Sequence, residues 1–130
     1  MLPDFMTKYL VDIEAAIRKL KDVYVEYYEE EIVTANRVNL RIRLRFTNGH
    51  LLELNEAFIG EEGNLRFLGY RYHFQDGQNN IVFRYDNTPH FHDLEHFPHH
   101  KHLSDKVVGT AKPSILKAID EARLLVNPEP

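Results

Sequence analysis

Near the N-terminus the apolar positions fall at Tyr9, Leu10, Ile13, Ala16, Ile17 and Leu20. That spacing lines one side of an amphipathic helix, with Thr7 or Asp4 as its cap. At Val23 the rhythm changes. The stretch "VYVEYYEEEIV" is rich in β-branched residues and tyrosine, which favours a strand, with a continuing helix as the alternative because of its three glutamates. The clearest alternation follows in "VNLRIRLRF". Val38, Leu40, Ile42, Leu44 and Phe46 share one face; Asn39, Arg41, Arg43 and Arg45 share the other. Asn48–Gly49 then signals a hairpin, and "LLELNEAF" returns as a strand. A two-residue loop would set Leu44 against Glu53 and mix the faces. A three-residue loop over Asn48, Gly49 and His50 sets Phe46 against Leu52, Leu44 against Leu54 and Arg45 against Glu53, which keeps them apart.

"GEEGN" reads as a loop, "LRFLGYRYHF" as a fourth strand, "QDGQNN" as a turn and "IVFRYD" as a fifth strand. A four-residue connection pairs Phe74 with Ile81, Tyr72 with Phe83 and Tyr70 with Tyr85, leaving Arg71, His73, Val82 and Arg84 on the opposite face. The histidine-rich stretch beyond, interrupted by Pro89 and Pro98, is expected to be irregular or only briefly extended. "KPSILKAIDEARLLV" predicts a closing helix with Pro113 near its first turn and Ile115, Leu116, Ile119 and Ala122 as its apolar face. The expectation is an α+β fold: about five antiparallel strands in a meander, with an N-terminal and a C-terminal helix packed on one face and an arginine-bearing polar face opposite.

At 130 residues the chain is expected to be a single domain, long enough to bury roughly two thirds of its unfolded surface. It has no cysteine, which excludes disulfides, thiolate zinc sites and cysteine nucleophiles. No basic stretch leads into an apolar run, and no segment approaches the ~18 apolar residues of a membrane span, so a soluble cytoplasmic protein is expected. The formal charge of −4 argues mildly against a general nucleic-acid coat. The distribution says more, because the acidic residues gather at Glu29, Glu30 and Glu31 and toward the ends while the arginines lie in the middle.

Two constellations carry candidate chemistry. Arg41, Arg43 and Arg45 repeat every roughly 6.5–7 Å along one strand face, close to the phosphate repeat of an extended nucleic acid. Arg71, His73 and Arg84 extend that face. The plain alternative is a solvated face on which Glu53 neutralises Arg45. The second constellation is "RYDNTPHFHDLEHFPHHKH", which holds six of the eight histidines: His90, His92, His96, His99, His100 and His102. These suit a metal site completed by Asp86, Asp93 or Glu95, a surface loop merely rich in histidine, or acid–base chemistry. Metal-free phosphodiester cleavage joins the two constellations. It needs a base for the 2′-hydroxyl, an acid for the leaving oxygen and positive charge on the transition state. Tyr70, Tyr72 and Tyr85 are available either to stack bases or to pack the core.

The stretch "YRYHF" through "IVFRYDNTPHFHDLEHFPHHKH", followed by the proline-started helix, resembles the TumE family of toxins from type II toxin–antitoxin systems. The likeness spans roughly residues 41–121, and its specific part is "RYDN-x-PH" with "FPHHKH". Arg84, Asp86, Asn87, His90, Pro98, His99, His100 and His102 match the motif. The resemblance implies a small cytoplasmic toxin, paired with a helix-turn-helix antitoxin and regarded as an mRNA endonuclease. The reading that unites these features is a metal-independent endoribonuclease acting on single-stranded RNA. His90 and one of His99, His100 or His102 would form the acid–base pair, Arg84 would stabilise the transition state and Asp86 would orient a histidine. Arg41, Arg43, Arg45, Arg71 and His73 would bind RNA. No cofactor is expected. The alternatives are a metal-dependent phosphoesterase or metal-binding protein using the same histidines, and a non-enzymatic binding module. An exposed edge strand also makes a homodimer an expectation.

Overall fold

The computed structural model describes residues 1–127; residues 128–130 lie outside it. Helix α1 (Asp4–Arg18) is followed by seven strands, β1 (Val23–Thr34), β2 (Arg37–Phe46), β3 (Leu51–Glu61), β4 (Asn64–Gln75), β5 (Ile81–Asp86), β6 (His100–His102) and β7 (Val107–Gly109), and by helix α2 (Ile115–Val126). The strands form one sheet in chain order, each antiparallel to the next. The α+β meander expected from the sequence is therefore present, with two strands more than the five expected. Both extra strands are three residues long and lie in or just beyond the histidine stretch. They are too short to leave a period-2 pattern of their own.

Two-residue periodicity decides which side of the sheet each residue faces. Val38, Leu40, Ile42, Leu44 and Phe46 of β2 are all buried, and they join Leu52, Leu54, Phe58, Tyr72, Phe74 and Phe83 in one core. Met6, Leu10, Ile13 and Ile17 of α1, spaced by three and four, cover that face, as do Ile115, Ala118, Ile119 and Ala122 of α2. Leu116, expected on the apolar side of α2, is 37% exposed, and Ala118 takes its place. The cap of α1 also differs from the expected Thr7 or Asp4, while Pro113 stands near the first turn of α2 as expected. The carbonyl of Pro3 accepts from the N–H groups of Met6 and Thr7, and Asp4 sits in the first turn, where its charge suits the positive helix end. Ser114 caps α2 by accepting from the Lys117 N–H at 3.1 Å, which leaves Pro113 just before the helix.

The registers keep the expected faces but slip by two residues. Thr47, Asn48 and Gly49 form the β2–β3 turn, with Gly49 at φ 94° donating to the Phe46 carbonyl and Phe46 donating to that of His50. Leu44 consequently faces Leu52, and Arg43 faces Glu53. Similarly, Tyr72 pairs with Tyr85, Phe74 with Phe83 and His73 with Arg84. A slip of two residues leaves every side chain on its original side, so the sorting survives the shift.

One polar group interrupts the apolar layer. Glu56 of β3 is 3% exposed and accepts hydrogen bonds from the Tyr9 hydroxyl (2.7 Å) and the Tyr72 hydroxyl, with the Lys112 ammonium 3.8 Å away. It ties α1, two strands and the segment before α2 to one acceptor. Burial raises the Glu56 carboxyl above its ordinary value, against the hydrogen bonds and Lys112, and burial likewise lowers the Lys112 ammonium. Removing the acceptor strands two buried hydroxyls and an ammonium, so Glu56→Ala should lower unfolding free energy by about 3 kcal/mol, whereas Glu56→Gln should cost clearly less. A carboxyl raised in the folded state contributes stability in full below its unfolded value of 4.5 and loses it as pH rises through the folded value. Urea titrations across pH should show that decline in the wild type and a flatter profile in Glu56→Gln.

Candidate active site on the polar face of the sheet

On the face away from the helices, the registers align the charged residues in rows across five strands. One row runs Arg41, Asn55, Arg71, Asp86 and His100; the next runs Arg43, Glu53, His73, Arg84 and His102. Residues as far apart in sequence as Arg41 and His100 thus share a single line of hydrogen-bonded strands. The rows meet a groove of about 980 Å³ lined by Arg41, Arg43, Asn55, Arg71, Asn87 and Thr88 among others. The groove ends at the two residues directly after Asp86, so it lies beside the histidine cluster and does not contain it.

The cluster itself is tight. His100 Nε2 lies 2.9 Å from Asp86 Oδ1 and 3.1 Å from His102 Nε2, and His102 Nε2 lies 3.6 Å from Asp86 Oδ2. Asp86 and His100 are 6% and 1% exposed, while His102 is open to solvent on one side. The Thr88 N–H donates to Asp86 Oδ1 at 3.0 Å, and His100 Nδ1 reaches the Pro98 carbonyl at 3.0 Å. That carbonyl can only accept, so Nδ1 carries a proton and donates it. Burial lowers the His102 imidazole below its ordinary value while Asp86 pulls it up, and His100, Arg84 and His90 add to the lowering. His90 is exposed at the start of the irregular segment, with its ring 6.3 Å from that of Phe91.

Neighbours fix the geometry. Asn87 accepts from the Tyr70 N–H at 3.1 Å, holding the segment after β5 against β4. Phe91, 38% exposed, sets its ring edge-on to His100 (5.0 Å) and His102 (5.8 Å). Gly109 of β7 admits the backbone of the histidine-rich segment, since a Cβ there would sit 2.3 Å from the Glu95 carbonyl oxygen. Arg84 Nε donates to His73 Nδ1 at 3.1 Å, which leaves the His73 proton on Nε2 to donate to Gln75 Oε1 at 2.9 Å. His73 is therefore a buried support for Arg84 and not an exposed contact.

The remaining residues singled out by sequence are distributed differently. His99 points to the helix side, where Nδ1 meets the Tyr70 hydroxyl at 2.9 Å, across the sheet from His100. His96 and His92 are exposed, the latter with its ring 4.5 Å from that of Phe97. Arg43 and Arg45 are joined to Glu26 of β1 at 2.9 and 3.0 Å, so the acid that meets Arg45 is Glu26 and not Glu53. Arg41 and Arg71 are exposed and carry no ion pair among the described residues. Tyr70, Tyr72 and Tyr85 belong to the core. Sequence reasoning passed over Glu26, Phe91 and Thr88. Only Phe91 left a signal, as an aromatic residue between two histidines in a segment without a strand pattern.

A family model described as Toxin TumE matches residues 13–126. No curated protein and no solved structure matches the chain. The matched range takes in every residue of the cluster.

The buried support of Arg84 has a pH signature. Burial lowers the His73 imidazole, reinforced by Arg84 and Arg71 and opposed by Gln75. A lowered base contributes stability in full above its unfolded value of 6.5 and loses it as pH falls through the folded value. Melting temperatures measured between pH 8 and pH 5 should fall more steeply in the wild type than in His73→Gln; parallel profiles would contradict this role.

Proposed function

The chain belongs to the TumE family of toxins, and from that premise we propose that it is an endoribonuclease that cuts single-stranded RNA on the polar face of its sheet. As one half of a toxin–antitoxin pair it has an antitoxin partner. In this reading the partner is a helix-turn-helix protein and the pair works in the cytoplasm. The observation that supports RNA cleavage best is the shared face. Arg41, Arg71 and Arg84 lie in register with Asp86, His100 and His102, so a strand held by guanidinium groups would run into the histidine cluster.

The roles follow from exposure. His102 and His90 can reach a bound phosphodiester and would exchange the two protons of the reaction, one taking the 2′-hydroxyl proton and the other protonating the leaving 5′-oxygen. Arg84, held by His73, would stabilise charge on the pentacoordinate phosphorus. His100 is too buried to touch RNA; with Asp86 it would position His102. His99 faces away and would have no part. Phe91 offers a ring to a base beside the cleaved bond. No metal ion enters these steps.

Purified protein should cleave single-stranded RNA in EDTA and leave 2′,3′-cyclic phosphate ends. The double variant His90→Ala, His102→Ala should lose about 10²-fold or more of the cleavage rate and no longer arrest growth on induction. Cleavage that persists in the double variant would remove these residues from the reaction. Phe91→Ala should weaken binding of single-stranded RNA by roughly tenfold, in line with about 1–3 kcal/mol for one stacked base.

A further inference from the structure

Within the histidine cluster, three atoms that can each offer a lone pair converge, one from each of Asp86, His100 and His102. His100 carries its proton on Nδ1, where it donates to the Pro98 carbonyl at 3.0 Å, so the Nε2 of the neutral ring presents a lone pair. That lone pair faces the Asp86 carboxylate at 2.9 Å and His102 Nε2 at 3.1 Å. Electron pairs brought this close call for a positive centre between them. A single proton can satisfy two of the three atoms; a metal ion can satisfy all of them.

The spacing suits a metal. Zinc bonds to histidine nitrogen and carboxylate oxygen are about 2.0–2.2 Å, and a tetrahedral arrangement of such bonds sets neighbouring ligand atoms about 3.3 Å apart. Here Asp86 Oδ1 lies 2.9 Å from His100 Nε2, the two Nε2 atoms lie 3.1 Å apart, and Asp86 Oδ2 lies 3.6 Å from His102 Nε2. One atom from each of the three residues fits within a span of 4.8 Å. The surroundings are also those of a ligand set. The Nδ1–H of His100 is anchored on a backbone carbonyl, which fixes the ring orientation that turns Nε2 inward, and the Thr88 N–H holds the carboxylate. The strands supply rigidity, because Asp86 and His100 are directly paired across β5 and β6. Two imidazoles and one carboxylate favour a borderline divalent ion over magnesium, which prefers oxygen ligands.

We infer that Asp86 Oδ, His100 Nε2 and His102 Nε2 form a three-ligand site for a divalent transition ion of the zinc class, with a fourth position open on the solvent side of His102. This inference stands on the ligand geometry whether or not the chain cuts RNA. If it does, the two uses exclude each other. A lone pair given to zinc cannot take up a proton, so the loaded protein is the silent form and the EDTA-treated protein the active one.

The experiment is calorimetric titration of EDTA-treated, tag-free protein with zinc chloride, with magnesium chloride as the comparison, together with the shift in melting temperature. One zinc per chain should bind and raise the melting temperature, and magnesium should do neither. Asp86→Asn and His102→Ala should each weaken zinc binding by at least tenfold while keeping the wild-type circular dichroism spectrum. The exposed-loop variant His92→Ala, His96→Ala should bind as the wild type does. Absence of saturable zinc binding would overturn the site. So would affinity unchanged in Asp86→Asn and His102→Ala but lost in His92→Ala, His96→Ala, which would mean adventitious capture by the loop. Because the readout is metal bound and not RNA cut, failure here leaves the ribonuclease reading standing, and loss of that reading leaves this site standing.

Discussion

Everything in this structure depends on the two-residue period of a strand held in register across six antiparallel pairings. A single-residue slip at any one of them would send each following side chain to the wrong side of the sheet. Because the registers hold, the aliphatic and aromatic residues of β2–β5 meet two helices, and the guanidinium, imidazole and carboxylate groups meet solvent. Burial of the apolar side enforces this. Turning Leu44, Leu52, Tyr72 and Phe83 outward would expose several kcal/mol of hydrophobic surface, at about 1.5–3 kcal/mol for each large side chain. The chemistry-bearing face is thus held in place by the packing of the other.

The same rule explains why adjacent histidines have unlike surroundings. His99 and His100 are neighbours in sequence, yet one meets the Tyr70 hydroxyl on the helix side and the other meets Asp86 on the polar side. His102, two residues on, returns to the side of His100. Three histidines in a stretch of four residues therefore divide into a cooperating pair and a separate packing contact. Pairing with β5 does this work, and β6 is only as long as the pairing needs.

β1 was legible from its β-branched and tyrosine content, and β2 from an alternation that also identified the arginine side. The helices were legible from three- and four-residue spacing, though Leu116 and the cap of α1 were not, since several residues there satisfy the pattern equally. Registers came out two residues away because the β2–β3 turn closes at Thr47–Gly49 and the β4–β5 pairing shifts between Phe74 and Gln75, choices that face sorting cannot distinguish from their neighbours. The strands β6 and β7 were invisible, being three residues each and formed by tertiary pairing. Glu56 and Glu26 were equally hidden. Nothing in an alternating stretch says that one glutamate will sit under two tyrosines, or that another will cross from β1 to bind two arginines.

In the proposed ribonuclease the polar face is one continuous surface that leads RNA from the arginines of β2 to the histidines of β6. Amide and side-chain chemical-shift mapping with a short, non-cleavable single-stranded RNA tests it directly. Perturbations are expected at Arg41, Arg71, Arg84, Phe91 and His102, with Leu10, Ile17 and Ala122 on the helix side unmoved. Perturbations confined to the helices, or to the β1 edge around Ile32, would contradict it.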